Sequence, residues 1–215
     1  MKLFSQEFFK RAATALVLGA LIFLVFFYTP RVVFSILLAT IWAYTGIIEL
    51  PRLLSPASRL FLPVLILYLG LPLSFLILLN QGRYRLDLLI LIILVAAFDT
   101  GSYIVGKLYG IHKIAPGVSP GKTWEGLFGG LGVCLISYLF VLYFVPELAI
   151  IRGFLGFFAI SIGAFLGDLF ESWLKRRAGV KDSGSILPGH GGVLDRIDGL
   201  IGASLAILFL RGLSF

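Results

Sequence analysis

The chain has 215 residues, 59% of them hydrophobic and 13% charged, with a net charge of +7; soluble domains sit near 45–50% apolar and about 25% charged, so a water-soluble globule is excluded. Apolar runs of about 18 residues or more recur along the whole length, each long enough to cross a bilayer. They are continuous, as in Leu88–Ala97 and Phe154–Gly167, which excludes the alternating strands of a membrane barrel.

The basic charge comes without the clustered aromatics and soluble basic face of a nucleic-acid binder, so no nucleic-acid partner is expected. What remains is an all-α, polytopic membrane protein, read as one transmembrane domain over residues 1–215. Seven spans are expected: 12–29, 31–50, 60–79, 86–106, 124–145, 150–172 and 198–213. The first follows Lys2, Lys10 and Arg11, as a signal peptide would. It ends in Phe26-Phe27-Tyr28-Thr29-Pro30 with no small-residue cleavage site, so it is read as a retained span. With the amino terminus in the cytoplasm, segments 1–11, 51–59, 107–123 and 173–197 lie inside and hold 13 of the 18 Lys and Arg residues. That asymmetry is the positive-inside signal. The single cysteine, Cys134, sits in an apolar run and reads as a small core residue. No internal repeat of the kind that builds inverted-repeat transporters is present.

Seven of the eleven acidic residues, Asp99, Glu125, Asp168, Glu171, Asp182, Asp195 and Asp198, fall at or near the same inner ends, which places any chemistry on the cytoplasmic side. Asp99, inside span four, needs a partner, a proton or a water-filled cavity, since a central charge costs about 2.5–3.5 kcal/mol on insertion scales. The stretch Ser119-Pro120-Gly121-Lys122-Thr123-Trp124-Glu125-Gly126 contains Gly-Lys-Thr. The nucleotide-hydrolase phosphate loop needs a longer interval between its glycines than Gly117 to Gly121 provides, and a strand before it rather than a membrane helix. That loop is excluded. Ser119 is instead expected to cap span five, whose first turn then offers N–H groups and Lys122 to an anion.

At the end of span six, Asp168, Glu171 and Ser172 share one helix face, which Lys175 continues. The segment 181–198 then places four glycines, one histidine, three carboxylates and two cations just before the last span. Glycine lets backbone approach a ligand closely, and Asp195 and Asp198, three apart, point together if a helix starts there. Two carboxylate clusters at one boundary suit Mg2+, which prefers one or two carboxylates together with substrate phosphates. Lys175, Arg176, Lys181 and Arg196 are placed to neutralise phosphate charge. His190, alone in a Gly-rich turn, reads as a hydrogen-bonding loop residue near substrate rather than a metal ligand.

The pattern Ser172-x-Leu174-Lys175-Arg176-x4-Lys181-Asp182-x-Gly184-x2-Leu187-Pro188-x-His190-Gly191-Gly192-Val193-x-Asp195-Arg196-Ile197-Asp198 closely resembles the signature of phosphatidate cytidylyltransferases, also called CDP-diacylglycerol synthases. Asp99-x-Gly101-Ser102-Tyr103 and Ser119-Pro120-x-Lys122-Thr123-Trp124-Glu125-Gly126 resemble two further family segments, in the expected order. Together these cover residues 96–200, a catalytic region with its signature loop at 172–198; residues 1–90 match only as generic spans.

The resemblance implies transfer of CMP from CTP to phosphatidate, giving CDP-diacylglycerol and pyrophosphate, in a multi-pass cytoplasmic-membrane enzyme whose site faces the cytoplasm. It implies Mg2+ at Asp168 and Asp195, with K+ as a second cation, and a homodimer. Asp198 is expected in a supporting catalytic role, with Asp99, Ser119, Lys122, Lys175, Arg176, Lys181, His190 and Arg196 facing the substrates. Gly121 departs from the family, where lysine is common, and 215 residues is short beside members with one or two more amino-terminal spans. The neighbouring readings are a CDP-archaeol synthase or a polyprenol kinase. A transporter would place its acids near the midplane on several helices; here they gather at one face.

Overall fold

The structure is a computed structural model that describes residues 17, 19–81, 84–144, 154–186 and 191–212. Its helices are α1 (Gly19–Tyr28), α2 (Arg31–Leu53), α3 (Phe61–Asn80), α4 (Arg85–Tyr109), α5 (Trp124–Phe144), α6 (Phe154–Arg177) and α7 (Leu194–Gly212). Five of them, α2 to α6, are long and apolar enough to cross a membrane. The other two expected spans differ for separate reasons. Part of the first lies outside the described residues, and α7 opens on Asp195, Arg196 and Asp198, so its apolar run starts only at Gly199.

Each of α2 and α3 contains a π-helical stretch, Thr45–Glu49 and Val64–Gly70. Both stretches run up to a Leu-Pro pair, Leu50-Pro51 and Leu71-Pro72. A proline ring clashes with the carbonyl four residues earlier and cannot donate to it. Those carbonyls belong to Ile47 and Tyr68, inside the widened turns, so the π geometry is the helix's accommodation of its proline.

The site-bearing half consists of two helical hairpins. In the first, α4 and α5 are joined by an antiparallel two-stranded ribbon, β1 (Lys113–Ala115) and β2 (Ser119–Thr123), pairing Lys113 with Thr123 and Ala115 with Ser119. Thr123 caps α5, its Oγ1 accepting the Gly126 N–H at 3.1 Å. This corrects the expected cap: Ser119 is taken into β2, four residues too early to reach the helix start. In the second hairpin, α6 and α7 meet along a glycine seam. A Cβ on Gly202 would lie 2.7 Å from the Gly167 Cα, and one on Gly163 would lie 2.7 Å from the Gly202 carbonyl oxygen. Only glycine permits helix axes this close.

One apolar cluster fills the middle of the bundle around Phe98, Leu91, Leu94, Ile160 and Ala203. A second, around Leu50, Leu69, Leu174, Leu194 and Ile201, ties the end of α2 and α3 to the α6–α7 hairpin. Helix α6 presents different surfaces to its two sides: Phe165 and Asp168 line a polar cavity, while Leu166, Gly167 and Phe170 line an apolar groove of about 920 Å3 shared with α3 and α7.

Gly202→Val forces a branched side chain into the opposing backbone, and overpacking of this kind costs about 1–3 kcal/mol. The unfolding midpoint of the detergent-purified protein should fall by at least about 2 °C, whereas Gly117→Val, with nothing within 4 Å of its Cβ, should leave it in place. Equal midpoints for both variants would contradict the seam.

Candidate active site

Helix α6 carries Asp168, Glu171 and Lys175 along one face because residues three and four apart overlie one another. Helix α7 begins with Asp195 and Asp198 in its first two turns, and the seam presses the two helices together there. The result is a trio, Asp168, Glu171 and Asp198, with ligand atoms all within 4.8 Å of one another. Glu171 is fully buried and its Oε1 accepts no hydrogen bond among the described residues. Its other oxygen pairs with Lys175 Nζ.

Lys175 is shared. Its Nζ also lies 2.6 Å from Asp195 Oδ1, with the Lys175 side chain 11% and that of Asp195 6% exposed. The remaining Asp195 oxygen accepts from the Ser183 N–H at 2.9 Å, the Ser183 hydroxyl at 2.9 Å and the Gly192 N–H at 2.7 Å. Gly191, at φ +82°, turns the chain through the left-handed region on the way into this cradle. Both Asp195 oxygens are thus occupied by the protein, and Asp195 stands beside the trio rather than in it.

Across the cavity, β2 brings Lys122 to within 3.0 Å of Asp168 Oδ2. Lys122 Nζ also donates to the Phe165 carbonyl at 3.0 Å and lies 4.4 Å from the centre of the Phe165 ring. Arg176 Nε donates to the Val118 carbonyl at 3.1 Å, tying the ribbon's turn to the end of α6. At the ribbon's other end, Glu125 accepts the N–H groups of Ile111 and His112 and pairs with His112 Nδ1 at 2.6 Å.

These residues surround a cavity of about 530 Å3. Asp99, Ser119, Lys122, Asp168, Lys175, Arg176, Lys181, Asp195, Arg196 and Asp198 all line it, although they come from four separate stretches of chain. His190 lies outside the described residues. Glu171 was visible in the sequence as a same-face neighbour of Asp168 but not as a member of the acidic trio. Ser183 gave no sequence signal. Glu49 did give one, as a carboxylate at the inner end of an apolar span, yet its contacts with the signature loop lie far away in sequence.

Three carboxylates converging from two helices, one with an oxygen that no donor among the described residues satisfies, fit a small hard cation that takes oxygen ligands. Truncating Lys175 should expose how much the arrangement depends on it. Lys175→Met leaves Glu171 and Asp195 facing each other's side of the site without their common cation, and breaking a buried pair costs about 3–5 kcal/mol. Denaturant unfolding should show that loss, and adding Glu171→Gln should restore part of it; no recovery in the double variant would assign the loss to packing.

Residues 57–213 match the Cytidylyltransferase family. The chain is 48% identical over 121 residues to a phosphatidate cytidylyltransferase of Haemophilus influenzae, covering 54% of this chain and 42% of the relative. It is 54% identical over 101 residues to one of Staphylococcus aureus, covering 46% and 39%, and 44% identical over 125 residues to one of Brucella suis, covering 54% and 43%. The chain spans about two-fifths of the length of these curated relatives. Because the family match extends from ahead of α3 to the end of α7, and so takes in every residue that lines the cavity, the chain belongs to the Cytidylyltransferase family.

Proposed function

We propose that the chain transfers CMP from CTP to phosphatidate, giving CDP-diacylglycerol and pyrophosphate, at the cytoplasmic face of the cell membrane. The observation that carries this reading is the meeting of Asp168 and Asp198, with Glu171 buried beside them, with the lysines and arginines of β2, α6 and the signature loop around one cavity. The names of the relatives point the same way.

The reaction is an in-line displacement at phosphorus. A phosphatidate oxygen forms the new bond to the α-phosphorus of CTP, the bond to the bridging oxygen breaks, and its electron pair leaves with pyrophosphate. Phosphatidate is ionised near neutral pH, so no side chain has to remove a proton. The protein's work is then positioning and charge neutralisation. Asp168, Glu171 and Asp198 would hold Mg2+, which supplies charge neutralisation for the triphosphate and its leaving group. Lys122, in the cavity on Asp168, would contact phosphate, as would Lys181 and Arg196, which line the same cavity. Asp195, which the resemblance makes a metal ligand with Asp168, also binds Lys175 beside the trio. A site at the inner boundary lets a lipid headgroup meet soluble CTP without leaving the bilayer. The family resemblance also supports K+ as a second cation and a homodimer.

Purified protein in detergent, given CTP, Mg2+ and phosphatidate, should release pyrophosphate only when lipid is present. Asp198→Asn and Asp168→Asn should each reduce kcat by about 100-fold or more, because a lost ligand removes the cation's contribution of several kcal/mol. Turnover with an archaeal ether lipid or a polyprenol but not with phosphatidate would move the acceptor assignment; near-normal kcat in both variants would reject the trio.

Lys122→Ala should raise the KM for CTP more than that for phosphatidate. The reverse pattern would put Lys122 on the lipid side of the cavity.

A further inference from the structure

Glu49 lies ahead of the residues that match the family, at the end of the π-helical turn in α2, and it is completely buried. An ionisable side chain inside a membrane helix is costly unless it is paired. Glu49 finds its partners at the start of α7: Oε1 accepts the Val193 N–H at 2.8 Å and Oε2 the Leu194 N–H at 2.7 Å. These are among the amides that no carbonyl of the helix itself can satisfy, and a carboxylate there also meets the positive end of the helix dipole. The loop comes close enough that a Cβ on Gly184 would lie 2.6 Å from Glu49 Oε1.

The contacts continue from Glu49 to the acidic trio. The Ser183 hydroxyl is 3.3 Å from Glu49 Oε2 and 2.9 Å from Asp195 Oδ2. With a single proton it donates to one carboxylate at a time, and so keeps both against the same loop. Asp195 Oδ1 then binds Lys175, and Lys175 binds Glu171. A chain of five side chains, Glu49, Ser183, Asp195, Lys175 and Glu171, thus runs from α2 to the trio.

We propose that Glu49 is a positioning residue: it clamps the first turn of α7 and, through Ser183, Asp195 and Lys175, sets the spacing of the three carboxylates that hold the cation. What the trio does in the reaction rests on the function proposed above; the clamp itself does not. Groups that orient metal-binding side chains typically change metal affinity or activity by about 10–100-fold when lost.

The test uses the full chain in detergent with Glu49→Gln and Ser183→Ala, and with Asn80→Ala as a buried-polar control. Asn80 binds the Arg31 carbonyl and Ser35, remote from the cavity. Hydrogen exchange at the Val193 and Leu194 amides should quicken by about tenfold or more in Glu49→Gln. Binding of Mn2+ alone, followed by electron paramagnetic resonance, should weaken by about tenfold in both Glu49→Gln and Ser183→Ala and stay at the wild-type value in Asn80→Ala. Wild-type exchange in Glu49→Gln overturns the clamp. Wild-type Mn2+ affinity in Ser183→Ala, or equal weakening in Asn80→Ala, overturns the link to the trio even if Glu49→Gln fails to fold. Mn2+ that does not bind the wild type rejects the trio as a cation site, and with it the positioning role, while the exchange data still judge the clamp.

Discussion

Lys175 holds two carboxylates that would otherwise repel each other in a nearly dry interior, and most of the site's geometry follows from that one cation. Glu171 is fully buried and Asp195 nearly so, so water screens neither of them. Fixing the lysine between them ties α6 to the first turn of α7 and aligns the signature loop with both. Coulomb attraction across a few ångströms is several-fold stronger here than in bulk water, yet it scarcely repays the desolvation of three charges. The arrangement is therefore poor economy for stability and makes sense as the framework of a charged binding site.

The rest of the fold serves to deliver acids and bases to one cavity. The α6–α7 hairpin supplies the acidic trio, and the α4–α5 hairpin supplies Asp99 from a helix and Lys122 from a ribbon. The ribbon is held across the cavity by Lys122 at one strand and Arg176 at its turn. In this way Lys122 comes from an element outside the apolar core, while the carboxylates are set by helices.

Much of this was legible in the residues. Hydropathy located α2 to α6 to within several residues, and nine of the ten cavity-lining candidates could be named because charged groups at the ends of apolar runs are conspicuous; the tenth, Ser119, came from the helix-cap argument. Three features were not legible. The ribbon between α4 and α5 has a short, Gly- and Pro-containing sequence that carries no alternating pattern, so it read as loop, and the cap of α5 was assigned to Ser119 instead of Thr123. Glu171 looked like one half of a helix-end ion pair, because same-face spacing says nothing of a third acid arriving from α7. Glu49 and the signature loop are joined by hydrogen bonds across more than 140 positions, a contact that local periodicity cannot encode.

The glycine seam between α6 and α7 has a mechanical meaning. Where backbone meets backbone there are no side chains to compress, so a slip of even one residue, a rise of about 1.5 Å, would drive Asp198 or Ala203 into the facing helix. The two helices that bear the trio therefore behave as one stiff beam. Any change in the width of the cavity must then come from the opposite wall, where the ribbon is fastened by two side-chain straps, Lys122 on Asp168 and Arg176 on the Val118 carbonyl.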